Sequence, residues 1–149
     1  MKTVYPIGTT LYQPDRCSGG YNLIAAYGTA KLVNMNGEVV HDWPIDPEGK
    51  KGFVHRARLL PNGRLMILFG GKQRHNHVAE FDWDGNETWS FSTEGMGPAH
   101  HDFWPTESGH VFLICCINLP PEVKAKITDP KRRELDVFGD ELIEVNRDG

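Results

Sequence analysis

The chain has 149 residues and carries 16 Lys and Arg against 20 Asp and Glu, a net charge of -4. That length suits one domain with a sizeable core. The acidic balance, with no basic stripe and no interleaved aromatic platform, argues against a nucleic-acid surface, and the longest apolar run, Val111 to Ile117, is too short to cross a membrane.

The first residues, Met1-Lys2-Thr3-Val4-Tyr5-Pro6, lack the apolar centre of a signal peptide, so the sequence reads as cytoplasmic. Residues 1 to 20, punctuated by Pro6, Gly8, Pro14, Gly19 and Gly20, form a lead of turns and short extended pieces. Cys17 lies in this lead with no evident partner, and three cysteines make no disulfide framework.

From residue 21 the chain repeats itself in two interlocking phrases. One runs from Ala30 to Trp43 as apolar strand, turn and strand around Met35-Asn36-Gly37. It returns from His77 to Phe91 around Trp83-Asp84-Gly85, and begins again from Asp140 to Gly149 with Arg147-Asp148-Gly149. The Asn-Gly and Asp-Gly pairs supply the positive φ that tight hairpins require. The other phrase runs from His55 through Gly63 to Leu68, and again from His101 through Gly109 to Ile114. Each histidine stands eight residues before its glycine.

The phrases alternate on a period of about 47 residues, and four short strands per unit of 40–50 residues is the signature of a β-propeller blade. No apolar spacing of 3.6 residues persists for long enough to support an α-solenoid. The sequence thus predicts an all-β fold of antiparallel four-stranded sheets, about three blades, at 21–46, 53–92 and 100–149. An insertion at 118–139 interrupts the third, with helical turns expected at Val123 to Ile127 and Lys131 to Leu135. As a long loop it is either a contributor to the site or a solvated excursion. Fewer than three full units cannot close a ring, so the chain is expected to be the N-terminal part of a longer one that continues past Gly149. Pairing with another chain is the other way to complete the ring.

The inner strand of each blade lines the central channel, so His55 and His101 should face the axis from neighbouring blades. Imidazole transfers protons near neutral pH and can act as a nucleophile. Arg56 and Arg58 offer guanidinium forks suited to sulfuryl or phosphoryl oxygens. The plainer alternative is that the repeated histidines brace one blade against the next. Asp102 either holds a histidine in one tautomer or makes a turn hydrogen bond, and His100 should point to the opposite face from His101. Trp104 is a candidate aromatic subsite, whereas Trp43 and Trp89 are expected to pack between blades. His75 and His77 share a strand face but no third ligand stands near, so they read as surface loop histidines. No metal and no cofactor is expected. Cys115 and Cys116 should point to opposite faces of one strand as small apolar fillers.

Several segments taken in order resemble one family. Pro6 to Tyr12, Gly20 to Ile24, Leu32 to Trp43, His100-His101-Asp102-Phe103 and Gly139 to Val145 are similar to the opening of the arylsulfotransferase propeller proteins. The resemblance covers nearly the whole chain apart from the insertion. It implies a six-bladed propeller that transfers a sulfuryl group from an aryl sulfate to a phenolic acceptor, without a nucleotide sulfate donor. It implies a sulfated histidine intermediate, with further channel histidines and an arginine holding the anionic oxygens. His101 matches a channel histidine of the family, and His55 matches less closely; the nucleophilic histidine is expected beyond Gly149. The partners implied are the aryl sulfate, the phenol and the remainder of the propeller, with no nucleic acid and no membrane. A periplasmic location, as relatives in Gram-negative bacteria can have, is the alternative expected if an N-terminal export signal has been lost. The alternative function is a non-catalytic propeller that binds a ligand or a protein.

Overall fold

A computed structural model describes residues 9–26, 28–46, 48–49, 52–70 and 76–149. Ten strands form three antiparallel sheets in chain order. The first sheet holds β1 (Tyr21–Ala26), β2 (Thr29–Asn34) and β3 (Val39–Trp43). The second holds β4 (Phe53–Leu59), β5 (Leu65–Gly70), β6 (His77–Phe81) and β7 (Glu87–Ser92), and the third β8 (Ala99–Pro105), β9 (Val111–Asn118) and β10 (Phe138–Val145). Each sheet is a simple meander. Only the middle one has the four strands expected of every unit; its neighbours have three. No helix among the described residues is long and apolar enough to cross a membrane.

The middle sheet is buried on both faces, which explains its sequence. Along β5, Leu65, Ile67 and Phe69 point one way and pack with Ala30, Leu32, Trp43 and Ile45 of the first sheet. Met66 and Leu68 point the other way and join Phe103, Val111, Leu113 and Val145 of the third. A strand covered on both sides has no use for polar alternation, hence the unbroken run Leu65-Met66-Ile67-Leu68-Phe69. The run Val111 to Ile117 looks similar but behaves differently. Val111, Leu113 and Cys115 are buried, while Phe112, Ile114 and Cys116 stay partly exposed, because only one face of the third sheet is covered. As expected, the two adjacent cysteines point apart.

The turns repeat in atomic detail. Asn34 Oδ1 accepts from the N–H groups of Asn36 and Glu38, Asp82 Oδ1 from Asn86, and Asn146 Oδ1 from Asp148 and Gly149. Each side chain thereby closes a turn whose glycine three positions on has positive φ, at 85°, 86° and 98°.

The sheets are joined by a repeated contact at the hairpin tips. Trp89 donates its indole N–H to the Arg147 carbonyl at 3.0 Å, and the Arg147 guanidinium lies 4.8 Å over the Trp89 ring. The counterpart in the preceding sheet is His41 rather than Trp43. His41 Nε2 meets the Trp83 carbonyl at 2.8 Å and its ring stacks on Trp83 at 3.8 Å. His41 and Trp89 each stand four residues after their turn glycine, and Trp83 and Arg147 two residues before theirs. Trp43 is a fully buried companion whose indole donates to the Asp82 carbonyl at 3.2 Å. Beneath the second joint, Glu80 is buried and bridges Arg64 at 2.7 Å and Arg147 at 2.6 Å.

Other expectations shift in detail. The insertion carries α1 (Pro121–Lys124) and α2 (Pro130–Arg133), each starting earlier than expected because a proline opens it. His77 is no surface histidine: it lies buried in β6, stacked on Phe69 at 4.8 Å. His75 lies outside the described residues.

Two outcomes follow for stability. Trp43→Ala removes a fully buried ring and should lower the unfolding free energy by roughly 3–5 kcal/mol in urea titrations. For Glu80, burial pushes its carboxyl up, but hydrogen bonds and charge from Arg64 and Arg147 win and hold it below the usual range. Its contribution is then complete above the unfolded carboxyl value of about 4.3 and is lost as pH falls through the lowered folded value. Glu80→Gln should therefore flatten the loss of stability in urea midpoints measured at descending pH below that point. An identical slope in the variant would show that Glu80 carries no acid sensitivity.

Candidate functional site

The leading strands of the three sheets lie side by side, β1 against β4 and β4 against β8. This brings His55 and His101 together, with ring centroids 6.1 Å apart. Neither histidine lies in regular pairing. In β4 the register slips by one between Val54 and Arg56, leaving His55 as the extra residue. In β8 the slip between Ala99 and Phe103 is larger: residues 100, 101 and 102 face only Ile114 across the pair. His101 has φ 61°, one of two described non-glycine residues with positive φ. Bulges re-aim side chains and recur beside functional sites, and a left-handed non-glycine residue costs on the order of 1–3 kcal/mol. A break in the pairing thus falls at the matching histidine of both units, smaller in β4 and larger in β8.

The His55 ring rests on Gly70. A Cβ at that position would collide with Nε2 of His55, and would lie 2.6 Å from its Cδ2 and 2.9 Å from the Phe53 ring. Glycine here makes a floor for the imidazole. Phe53 also packs edge-on against His55 at 4.5 Å. Burial first, then the nearby His101 and His100, push the His55 pKa below its ordinary value. His55 is accordingly a neutral imidazole at neutral pH, with a lone pair to offer.

Asp102 lies beside this pair and is engaged by arginines. Arg58 spans both its oxygens at 2.9 and 3.1 Å, and Arg56 Nε lies 3.2 Å from one of them. The Phe103 N–H donates to the same carboxylate at 2.8 Å. Burial raises the Asp102 pKa, but that N–H and the two arginines outweigh it and keep the carboxylate ionised. Arg58 also donates through Nε to the Phe103 carbonyl at 3.0 Å and lies 4.8 Å over the Trp104 ring. Arg58 therefore clamps β4 to β8. Two guanidinium groups on one carboxylate leave one net positive charge, beside the mouth of a 160 Å³ cavity lined by Arg58, Trp104, Phe112, Ile114 and Leu142.

All six residues expected at the site, His55, Arg56, Arg58, His101, Asp102 and Trp104, thus meet at the seam of β4 and β8. Sequence reasoning missed the supporting role of Gly70 and the Arg–Asp clamp. It also misplaced His100, whose ring packs edge-on against His101 at 4.9 Å instead of turning away from it, because the bulge breaks the strand alternation. The Nε2 of His100 meets Asp140 Oδ1 of the third sheet at 3.0 Å. Matching offsets to the repeat glycines was the signal for the histidines; the clamp joins residues 44 positions apart, and no short motif encodes it.

The chain matches no family model, and neither a curated protein nor a solved structure emerges as similar to it.

The geometry makes a measurable statement about His55. Its imidazole should titrate below about 6.5 in histidine NMR spectra. Gly70→Ala should push the ring outward and raise that midpoint toward the ordinary value, moving the His101 signals with it. An unchanged His55 midpoint in the variant would mean that Gly70 does not set its environment.

Proposed function

We propose that the chain forms consecutive blades of an arylsulfotransferase-like β-propeller, and that the seam of β4 and β8 holds the sulfate ester of an aryl donor. The observation that carries this reading is the convergence of two bulged histidines beside an arginine pair of net positive charge. A tetrahedral sulfuryl group presents oxygens in several directions, and two imidazoles with a guanidinium edge can meet more than one at once. Trp104 and the apolar cavity beside it suit the aryl ring.

In this reading His101 and His55 hold or activate the ester while Arg58 and Arg56 offset its charge. Asp102 keeps the arginines in place and limits the site to one net positive charge, enough to attract a monoanion. Sulfuryl transfer requires a nucleophile to attack sulfur as the phenolate leaves, and a phenolic acceptor then takes the group. By the resemblance noted above, the attacking imidazole is a histidine other than His55 and His101. The blade architecture draws support from the chain of adjacent leading strands. Tyr21 and Ile24 on the first sheet are exposed apolar residues that a neighbouring blade would cover.

The test is binding of 4-nitrophenyl sulfate to this chain, followed by NMR of the histidine side chains. Saturable shifts at His55 and His101 are expected, weakening as salt is added. His101→Ala should lower affinity by about 10-fold, the equivalent of one charge-assisted contact. Unchanged affinity in both His101→Ala and His55→Ala would remove the histidines from the site. A folded chain that ignores the ester altogether would favour a propeller that binds other partners without this chemistry.

A further inference from the structure

The outer face of the third sheet holds a second cluster beside the first, adjoining it where the His100 ring meets His101 at 4.9 Å; its ligand set does not depend on the sulfate-ester reading. Cys116 of β9 and Asp140 of β10 are direct cross-strand partners, so their side chains leave the sheet on the same face. Ala99 pairs with Cys115 and faces the core, and His100, the next residue, turns to the opposite face where Cys116 and Asp140 lie. A nitrogen of His100, the Cys116 sulfur and a carboxylate oxygen of Asp140 all fall within 4.8 Å of one another.

We propose that His100, Cys116 and Asp140 form a binding site for a zinc-class divalent ion. Nitrogen, sulfur and carboxylate oxygen are the three donor types such an ion takes, at roughly 2.0–2.3 Å. A tetrahedral centre with those bonds separates its ligands by roughly 3.3–3.8 Å, so a modest contraction of the cluster encloses the metal. Magnesium and calcium demand oxygen-rich shells and do not suit a thiolate.

Two further features support a ligand here. His100 is held by Asp140 through one ring nitrogen, while the other, Nδ1, is shielded from solvent with no hydrogen-bond partner among the described residues. Cys116 is fixed from behind, its N–H donating to the Pro98 carbonyl at 2.9 Å. Gly97, at φ 110°, makes that close approach feasible, since a Cβ there would strike the Cys116 carbonyl. Beside the thiol opens a cavity of 280 Å³ lined by Met96, Pro98, Ile117 and Phe138 among others. Three protein ligands leave a fourth position, which water or a small ligand would complete.

The adjacent pair Cys115-Cys116 concealed the site in the sequence, because only one of the two thiols reaches this face. The insertion at 118–139 further separates Cys116 from Asp140 along the chain, and the β9–β10 pairing cancels that separation.

Cobalt(II) is the probe, since a thiolate ligand gives it a near-ultraviolet charge-transfer band. The chain should bind one equivalent of cobalt with that band and release it to zinc. Cys116→Ser should abolish the band, while Cys17→Ser keeps it. Asp140→Asn, at an exposed position, should weaken cobalt binding by about 10-fold or more. Should Cys116→Ser fail to fold, alkylation of the unaltered chain decides: zinc should protect Cys116, and not Cys17, from iodoacetamide. Absence of saturable cobalt binding by the folded chain, a band that survives in Cys116→Ser, or no zinc protection of Cys116 would each overturn the assignment.

Discussion

The fold depends on burying one strand from both sides. β5 sends Leu65, Ile67 and Phe69 into one core and Met66 and Leu68 into the other. It thereby couples all three sheets through a single segment of backbone. At about 25 cal/mol per Å² of apolar surface removed from water, this double burial is the main favourable contribution within reach of so short a strand. Everything nearer the seam of β4 and β8 is placed relative to β5: β4 pairs with it directly, and β8 packs across it.

Specificity of sheet-to-sheet placement comes from a different source. Apolar faces can slide; the joints at the hairpin tips cannot. His41 on Trp83, and Trp89 on Arg147, each combine a ring contact with a hydrogen bond to a backbone carbonyl. The same geometry is built once from imidazole on indole and once from indole on guanidinium. The shared requirement is a flat group carrying an N–H that reaches the next turn, and several side chains satisfy it. Glu80 adds charge to the second joint by bridging Arg64 and Arg147 from a buried position. The partly exposed arginines keep that bridge from leaving an uncompensated charge in the core.

Two of the four register slips among the described residues lie where the candidate chemistry lies. A regular β4 would give every residue from Phe53 to Leu59 a ladder position; the slip at His55 frees one of them to turn toward β8. The larger slip in β8 frees three, and they part ways. His101 meets His55, Asp102 takes the arginines, and His100 turns to Cys116 and Asp140. One bulge thus serves both the proposed anion site and the proposed metal site, which adjoin where the His100 and His101 rings meet edge-on at 4.9 Å. The left-handed backbone of His101 is maintained by its surroundings, chiefly the Arg58–Asp102 clamp and the buried Phe103 that follow it.

Local chemistry made much of this legible in the linear chain. The Asn-Gly and Asp-Gly turns, the strand runs between them and the recurrence of His55 and His101 before their glycines depend on short-range backbone preferences and on repeat spacing. The match of His41 to Trp89 is likewise written in the chain, each four places after its turn glycine, Gly37 and Gly85. Tertiary structure alone decided the rest. Whether an apolar run is covered on one face or two separates β5 from β9, and depends on which sheets stack, which local preference does not specify. The bulge that sets the His100 ring edge-on against His101, the capture of Asp102 by Arg58 and Arg56, and the meeting of Cys116 with Asp140 across the insertion all arise from strand register. Register is set by the summed burial of whole sheets and the closure of distant turns, so it belongs to the assembled molecule rather than to any stretch of residues.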